Sequence, residues 1–178
     1  MKRILNKETI KYINKEVKIA GWVDSIRSHG KIIFIDLRDR SGILQLVSVP
    51  SSDESYIKSK ELRPEWVIEV KGKVLKRPSK MINPKIETGM VEVAIKQLKV
   101  LSKAETLPFS IKGDGYEINE EKRMKYRYLD LRRERMKKNL EKRQKVIQFM
   151  RSFLQQEDFI EVETPILTKS TPEGARIL

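Results

Sequence analysis

Along the first hundred residues apolar and polar side chains alternate in short runs, the period-2 signature of strands with one buried face. In 17–26, Val17, Ile19, Gly21 and Val23 share one parity. In 31–38, Ile33, Ile35 and Leu37 share another, which turns Ile32, Phe34 and Asp36 to the opposite side. A third run, 43–49, follows the turn signal Asp39-Arg40-Ser41-Gly42. Residues 53–62 suit a short helix with Tyr56, Ile57 and Leu62 on its apolar side, and 66–75 and 90–101 alternate again around the Pro- and Gly-bearing stretch 77–89. Periodicity alone fits an antiparallel barrel or a sandwich. Five strands with a short helix between the third and fourth favour the OB-fold, a five-stranded, partly open barrel.

The pattern changes after Leu101. Residues 102–121 carry Pro108, Gly113 and Gly115 with little periodicity and read as a linker. From Arg135 the spacing turns helical, with Leu140, Ile147, Met150 and Leu154 in one stripe that Val146 and Phe153 widen. Phe159-Ile160-Glu161-Val162-Glu163 then alternates as a strand and stops at Thr164-Pro165. One helix and one strand make no core, so a second, α/β domain is expected to be truncated near its start. Glu161 and Glu163 share a strand face, which by itself does not make a catalytic carboxylate pair.

Charge narrows the partner. The chain of 178 residues has a net charge of +13, and residues 122–151 hold 13 Lys/Arg against 3 Asp/Glu, or +10 of that excess. A solvated lysine-rich helix explains mixed charge better than a one-sided excess, which favours a polyanion such as nucleic acid. With no cysteine and one histidine, disulfides, Cys-based metal sites and His clusters are excluded. No segment reaches the roughly 20 apolar residues that span a bilayer, and the N-terminus lacks an apolar signal core. The chain is expected to be cytoplasmic, with no membrane partner.

Within that frame the outward parity of the barrel strands carries the candidate chemistry. Phe34 is turned outward beside Asp36, just after the basic turn Arg27-Ser28-His29-Gly30. If Leu44 and Leu46 are buried, Gln45 faces out like Phe34, and Glu92 lies out of phase with Val91 and Val93. Unpaired bases stack on an aromatic ring for about 1–3 kcal/mol each, and amide and carboxylate groups read base edges. Arg27 can grip a phosphate or stack on a base. Taken singly, Gln45 and Glu92 also suit ordinary solvated strand positions, and His29 a solvated loop. The chain has no Walker loop, dinucleotide fingerprint or Ser/His/Asp set.

Three ordered motifs, GWVDSIRSHGKIIFIDLRDRSGILQLV (21–47), RYLDLRR (127–133) and ETPILTKSTPEGAR (163–176), together resemble bacterial-type aspartyl-tRNA synthetase, a class IIb enzyme, along the whole chain. RYLDLRR with TPEGAR is more similar to the aspartyl enzymes than to their lysyl and asparaginyl relatives. The resemblance implies an OB-fold anticodon-binding domain at 1–103, a hinge at 104–135, and at 136–178 the truncated start of a class II catalytic domain. The helix and strand of that last part look like motif 1, whose strand ends at Pro165 and which builds the family's homodimer interface. Phe34 matches the ring on which an anticodon base stacks, and Arg27, Gln45 and Glu92 match positions that read anticodon bases. Glu173 matches a residue of the aspartate pocket. His29 is typical of family members that charge both tRNA(Asp) and tRNA(Asn), where strict enzymes carry Leu.

The family forms aspartyl-adenylate with ATP and Mg²⁺ and passes the aspartyl group to tRNA. Its motifs 2 and 3, whose arginines hold ATP, do not occur in these residues. The implied function is tRNA(Asp) recognition, with tRNA(Asn) as a second partner, inside an aspartate–tRNA ligase. No catalytic residue and no bound ATP or Mg²⁺ is expected in this chain by itself. The alternative from the residues is a free-standing OB protein that binds single strands without preference; a dimerisation scaffold is a third. A sequence-tolerant binder spreads several aromatics over its face, whereas Phe34 stands among polar readers, and a scaffold needs no basic Arg27 turn.

Overall fold

Strand β1, Glu16–His29, turns back through Gly30 and Lys31 into β2, Ile32–Asp39. Gly30 has a φ of 59°, a backbone state open to glycine at the first position of a two-residue hairpin loop. Arg40 and Ser41 make the next turn, in which Asp39 Oδ1 accepts from the Ser41 N–H at 2.7 Å, and lead into β3, Gly42–Ser48. Helix α1, Glu54–Glu61, follows, then β4, Val67–Lys76, and β5, Val91–Ser102. These are the five strands and single helix expected of an OB-fold. The barrel closes in the order β1-β2-β3-β5-β4, with β3 and β5 parallel and the other neighbours antiparallel. It is therefore closed where the sequence suggested a partly open one.

Closure demands a sharply bent β1. Its register with β2 shifts between Val23 and Ser25, and a Cβ at Gly21 would collide with the backbone oxygen of Arg38. The core holds the inward parity read from the sequence: Val17, Ile19, Val23, Ile33, Ile35, Leu37, Leu44, Leu46, Ile68, Val70, Val74, Val91 and Val93 are all buried. One end is sealed by a 3-10 segment, Asn6–Tyr12, that the sequence reading did not foresee. Asn6 is fully buried, and its Nδ2 donates to the Leu37 and Gly42 carbonyls at 2.9 and 3.0 Å.

The computed structural model describes residues 1–50 and 53–167 and divides into two compact units, Met1–Thr106 and Leu107–Leu178. The second is helical: α2, Glu120–Lys125; α3, Arg127–Asp130; and α4, Glu134–Gln156. Helices α2 and α3 lie in a stretch the sequence assigned to a hinge without elements. They gather around the buried Asp130, which accepts hydrogen bonds from Arg123 at 3.2 Å, Arg127 at 2.9 Å and Arg133 at 2.9 Å. Arg133, also fully buried, donates onward to the Lys112 and Ser110 carbonyls at 2.8 and 2.6 Å. Burial opposes the charged form of Asp130, but hydrogen bonds from Arg123 and Arg133 outweigh it and hold its pKa below the ordinary aspartate value.

The expected strand at 159–163 is corrected: Phe159–Pro165 forms no strand. A strand exists by pairing, and among the described residues of this unit none offers an edge. The chain instead folds back on the end of α4, where the Phe159 N–H reaches the Leu154 carbonyl at 3.0 Å and Arg151 Nη2 donates to Glu161 at 2.9 Å. Glu161 is thus held by an arginine.

Candidate nucleic-acid interface

The outward faces of β1, β2, β3 and β5 assemble one polar patch around an aromatic ring. Strand register places Arg27 opposite Phe34 and Ser25 opposite Asp36. On the other side it sets Phe34 against Val47 and Asp36 against Gln45. Phe34 is partly exposed, as are Asp36, Gln45 and Glu92, while Arg27 and His29 are exposed. The parity argument for Phe34 and Gln45 therefore holds in space. Alternation turned both away from a core that Ile33, Ile35, Leu44 and Leu46 fill.

The polar groups are held by one another. Arg27 Nη2 donates to both Asp36 oxygens, at 2.9 and 3.0 Å, and Ser25 Oγ donates to Asp36 Oδ2 at 2.6 Å. Gln45 Nε2 donates to Glu92 Oε2 at 3.1 Å, across the parallel β3–β5 seam. The Nε of Arg77, just beyond β4, lies 3.6 Å from the same Glu92 oxygen. Cation, carboxylate and amide therefore alternate across the patch with the ring of Phe34 at one side. Such a face offers donors and acceptors to base edges, a stacking plane, and positive charge for the backbone.

Four of the sequence's candidates, Arg27, Phe34, Gln45 and Glu92, come together here. His29 lies at the end of β1, two residues beyond Arg27 and opposite Ile32, on the rim of the patch. Pro165 is exposed in the second unit, and Glu173 falls outside the described residues. Two members of the patch were given no role from the sequence. Asp36 was turned outward beside Phe34 by its parity but not counted as a candidate, although the structure makes it the carboxylate that Arg27 and Ser25 hold. Arg77 could not have been found, because nothing local marks an arginine before a proline as facing Glu92, 15 positions later in the chain.

Comparison with known proteins gives this patch a context. The family model described as OB-fold nucleic acid binding domain matches residues 17–101, and that of tRNA synthetases class II (D, K and N) matches 119–177. The aspartate–tRNA(Asp/Asn) ligase of Halothermothrix orenii is 54% identical over 165 residues, 92% of this chain and 28% of that protein. The chain belongs to the aspartyl-tRNA synthetase family. The aspartate–tRNA(Asp/Asn) ligase of Aquifex aeolicus is 53% identical over 92% of the chain and 27% of its own length. The chain thus spans little more than a quarter of the curated relatives it matches. Among solved structures, asparaginyl-tRNA synthetase from Pyrococcus horikoshii complexed with asparaginyl-adenylate superposes with a TM-score of 0.76 at 26% identity, over 98% of this chain and 39% of that one. Aspartyl-tRNA synthetase from Entamoeba histolytica, at 21% identity and a TM-score of 0.78 over 97% of this chain and 42% of that one, shares the fold.

Proposed function

We propose that this chain provides anticodon recognition within an aspartate–tRNA ligase that accepts both tRNA(Asp) and tRNA(Asn). The observation that carries the reading is the partly exposed Phe34 ring set among Arg27, Asp36, Gln45 and Glu92 on one barrel face. An anticodon base stacks on Phe34, and Gln45, Glu92 and Arg27 take the polar edges and backbone of the anticodon. Residues 1–103 act as the anticodon domain, 104–135 as the hinge, and 136–178 as the start of the catalytic domain. The apolar stripe of α4 and Pro165 then belong to a homodimer interface, and Glu173 to the aspartate pocket.

ATP and Mg²⁺ serve the full-length enzyme. Adenylate formation is assigned to the family's motifs 2 and 3, whose ATP-binding arginines do not occur in these residues. His29 supports the relaxed reading of two tRNAs. The two anticodons differ only at their third base, C against U, and an imidazole can donate or accept a hydrogen bond where leucine offers shape alone. A ring that serves either pyrimidine leaves neither one's polar groups unmet, which blunts discrimination.

The test is a paired titration, by fluorescence anisotropy, of aspartate and asparagine anticodon stem-loops against wild type, Phe34→Ala and His29→Leu. Phe34→Ala is expected to weaken both by about 1–3 kcal/mol, and His29→Leu to favour the aspartate stem-loop. Unchanged affinity in Phe34→Ala overturns the interface. A wild type that already separates the two stem-loops more than tenfold overturns the role of His29. Equal binding of an unrelated single strand would return the generic binder to first place.

A further inference from the structure

The barrel carries a second outward ring, away from the anticodon patch. Trp22 in β1 is 42% exposed and lies opposite Arg38 of β2 on one side and Val67 of β4 on the other. Arg38 and Phe34 share the outward parity of β2 four positions apart, so the row of Trp22 is roughly 13 Å along the strand from that of Phe34. Beside Trp22 is a cavity of about 560 Å³ lined by Arg3, Ile4, Leu5, Glu8, Trp22 and Arg40. A lone exposed aromatic needs no explanation. This one shares a cavity with two arginines.

The walls are held in place from three directions. Val23, next to the ring, donates its N–H to the Trp66 carbonyl at 2.9 Å and accepts from the Glu65 N–H at 2.7 Å. Glu65 keeps a φ of 68°, a strained state for a residue with a side chain, while its two oxygens accept from Arg38 Nη2 at 2.9 and 2.8 Å. Arg3 Nη2 donates to the Ala20 carbonyl at 3.0 Å, two positions before Trp22. The N–H groups of Asn6 and Lys7 reach Asp39 Oδ2 at 2.8 Å and Ser41 Oγ at 3.0 Å, which ties the N-terminal segment to the turn that carries Arg40.

Charge is unevenly matched around this cavity. Arg38 is neutralised by Asp24 and Glu65, and Glu8 turns an oxygen to the Leu5 N–H at 2.7 Å. Arg3 and Arg40 form no ion pair among the described residues. An apolar protein segment laid here would bury two guanidinium groups without an anion. A nucleotide meets both needs, since its base stacks on the indole and its phosphates take the arginines.

We propose that the Trp22 cavity is a second RNA subsite, which takes a nucleotide flanking the anticodon by stacking its base on Trp22 and holding its adjoining phosphates with Arg3 and Arg40. The inference rests on reading the Phe34 face as the anticodon site. An OB-fold covers roughly 4–16 nucleotides of a bound strand, more than an anticodon supplies, so the strand continues past Phe34. Every base has a face to stack, so this subsite adds affinity without sequence choice, while Gln45 and Glu92 supply the choice.

The experiment uses the full chain as wild type, Trp22→Phe, Trp22→Ala, the double variant Arg3→Gln/Arg40→Gln, and Phe34→Ala. Each is melted without RNA and titrated with the aspartate anticodon stem-loop at several salt concentrations. The chain has two tryptophans, and the stem-loop is expected to quench wild-type tryptophan fluorescence with the midpoint that anisotropy gives. Trp22→Phe should abolish that quenching and keep most of the affinity, and Trp22→Ala should lose fivefold or more. The double variant should keep its Tm and bind with a slope of log affinity against log salt shallower by roughly 1.4–1.8, for two phosphate contacts removed. Quenching that survives in Trp22→Phe, or a wild-type slope in the double variant, overturns the subsite while a loss in Phe34→Ala leaves the anticodon reading standing. No loss in Phe34→Ala overturns both. If Trp22→Ala fails to fold, the quenching in Trp22→Phe and the slope of the double variant decide the matter. RNA-free self-association that Trp22→Phe and the double variant abolish would give the cavity to a second copy and overturn the proposal.

Discussion

In β2, Ile33, Ile35 and Leu37 recur every second residue and are 5%, 0% and 0% exposed; in α4, Ile147, Met150, Phe153 and Leu154 recur at helical spacing and keep 37%, 56%, 53% and 44% of their surface open. Both patterns are regular and both announce an apolar face, yet only one face is covered. A sheet that curls into a barrel supplies its own second layer, since every inward side chain meets those from the opposite wall. A single helix cannot do this. What orders the second unit is polar, the Asp130 carboxylate gripping Arg123, Arg127 and Arg133 beside the start of α4. Periodicity names a face; whether anything covers it depends on what the rest of the molecule brings there.

The contrast can be pressed hardest in the barrel. Ile35→Ala removes a side chain with no exposed surface and is expected to cost about 4 kcal/mol, read as a fall in the urea midpoint of the barrel's unfolding. A loss under about 1 kcal/mol would mean that the closed core is looser than its burial implies.

Asp130→Ala attacks the other kind of order. It leaves Arg133 buried without its carboxylate and is expected to cost about 3 kcal/mol, felt as faster proteolysis or hydrogen exchange across 107–133 with the barrel unchanged. The same carboxylate makes the knot acid-sensitive. Its folded pKa is lowered, so its contribution is complete above the ordinary aspartate range and is lost as pH falls through the depressed folded value. Acid should therefore loosen the wild-type second unit, and Asp130→Ala should lack that dependence. An acid profile identical in both proteins would remove Asp130 as the source.

The smallest effect is expected on α4. Met150→Ser touches an exposed side chain and should change the stability of the chain at low concentration by under about 0.5 kcal/mol. A larger loss, growing with protein concentration, would show that the stripe is covered by a second copy in solution and would erase the contrast with the barrel.

Much of the candidate interface was legible because a strand's faces are a local property. Phe34, Gln45 and Glu92 could be turned outward on paper from the burial of Ile33, Ile35, Leu44, Leu46, Val91 and Val93, and the described residues put them there. The 3-10 segment Asn6–Tyr12 was not legible, since it is fixed by Asn6 reaching carbonyls of Leu37 and Gly42, more than 30 positions away. Nor were α2 and α3, whose short sequences carry no periodicity and which depend on a carboxylate gathering three arginines. The alternation at 159–163 misled for the complementary reason: it describes a strand that needs an edge to join, and no edge is present among the described residues of its unit.

By itself, then, the sequence determined which residues share a face, where the turns fall, and the net positive charge, because each follows from backbone period, local backbone conformation or simple addition. Tertiary structure alone decided which faces are covered and which polar groups are met. It closed the barrel through the parallel β3–β5 seam, joined Gln45 to Glu92 across 47 positions, and buried Arg77 beside Glu92 with two of its N–H groups lacking a hydrogen-bond partner among the described residues. Hydrogen bonds and burial are properties of neighbours in space, and neighbours brought together by chain closure have no signature in local order.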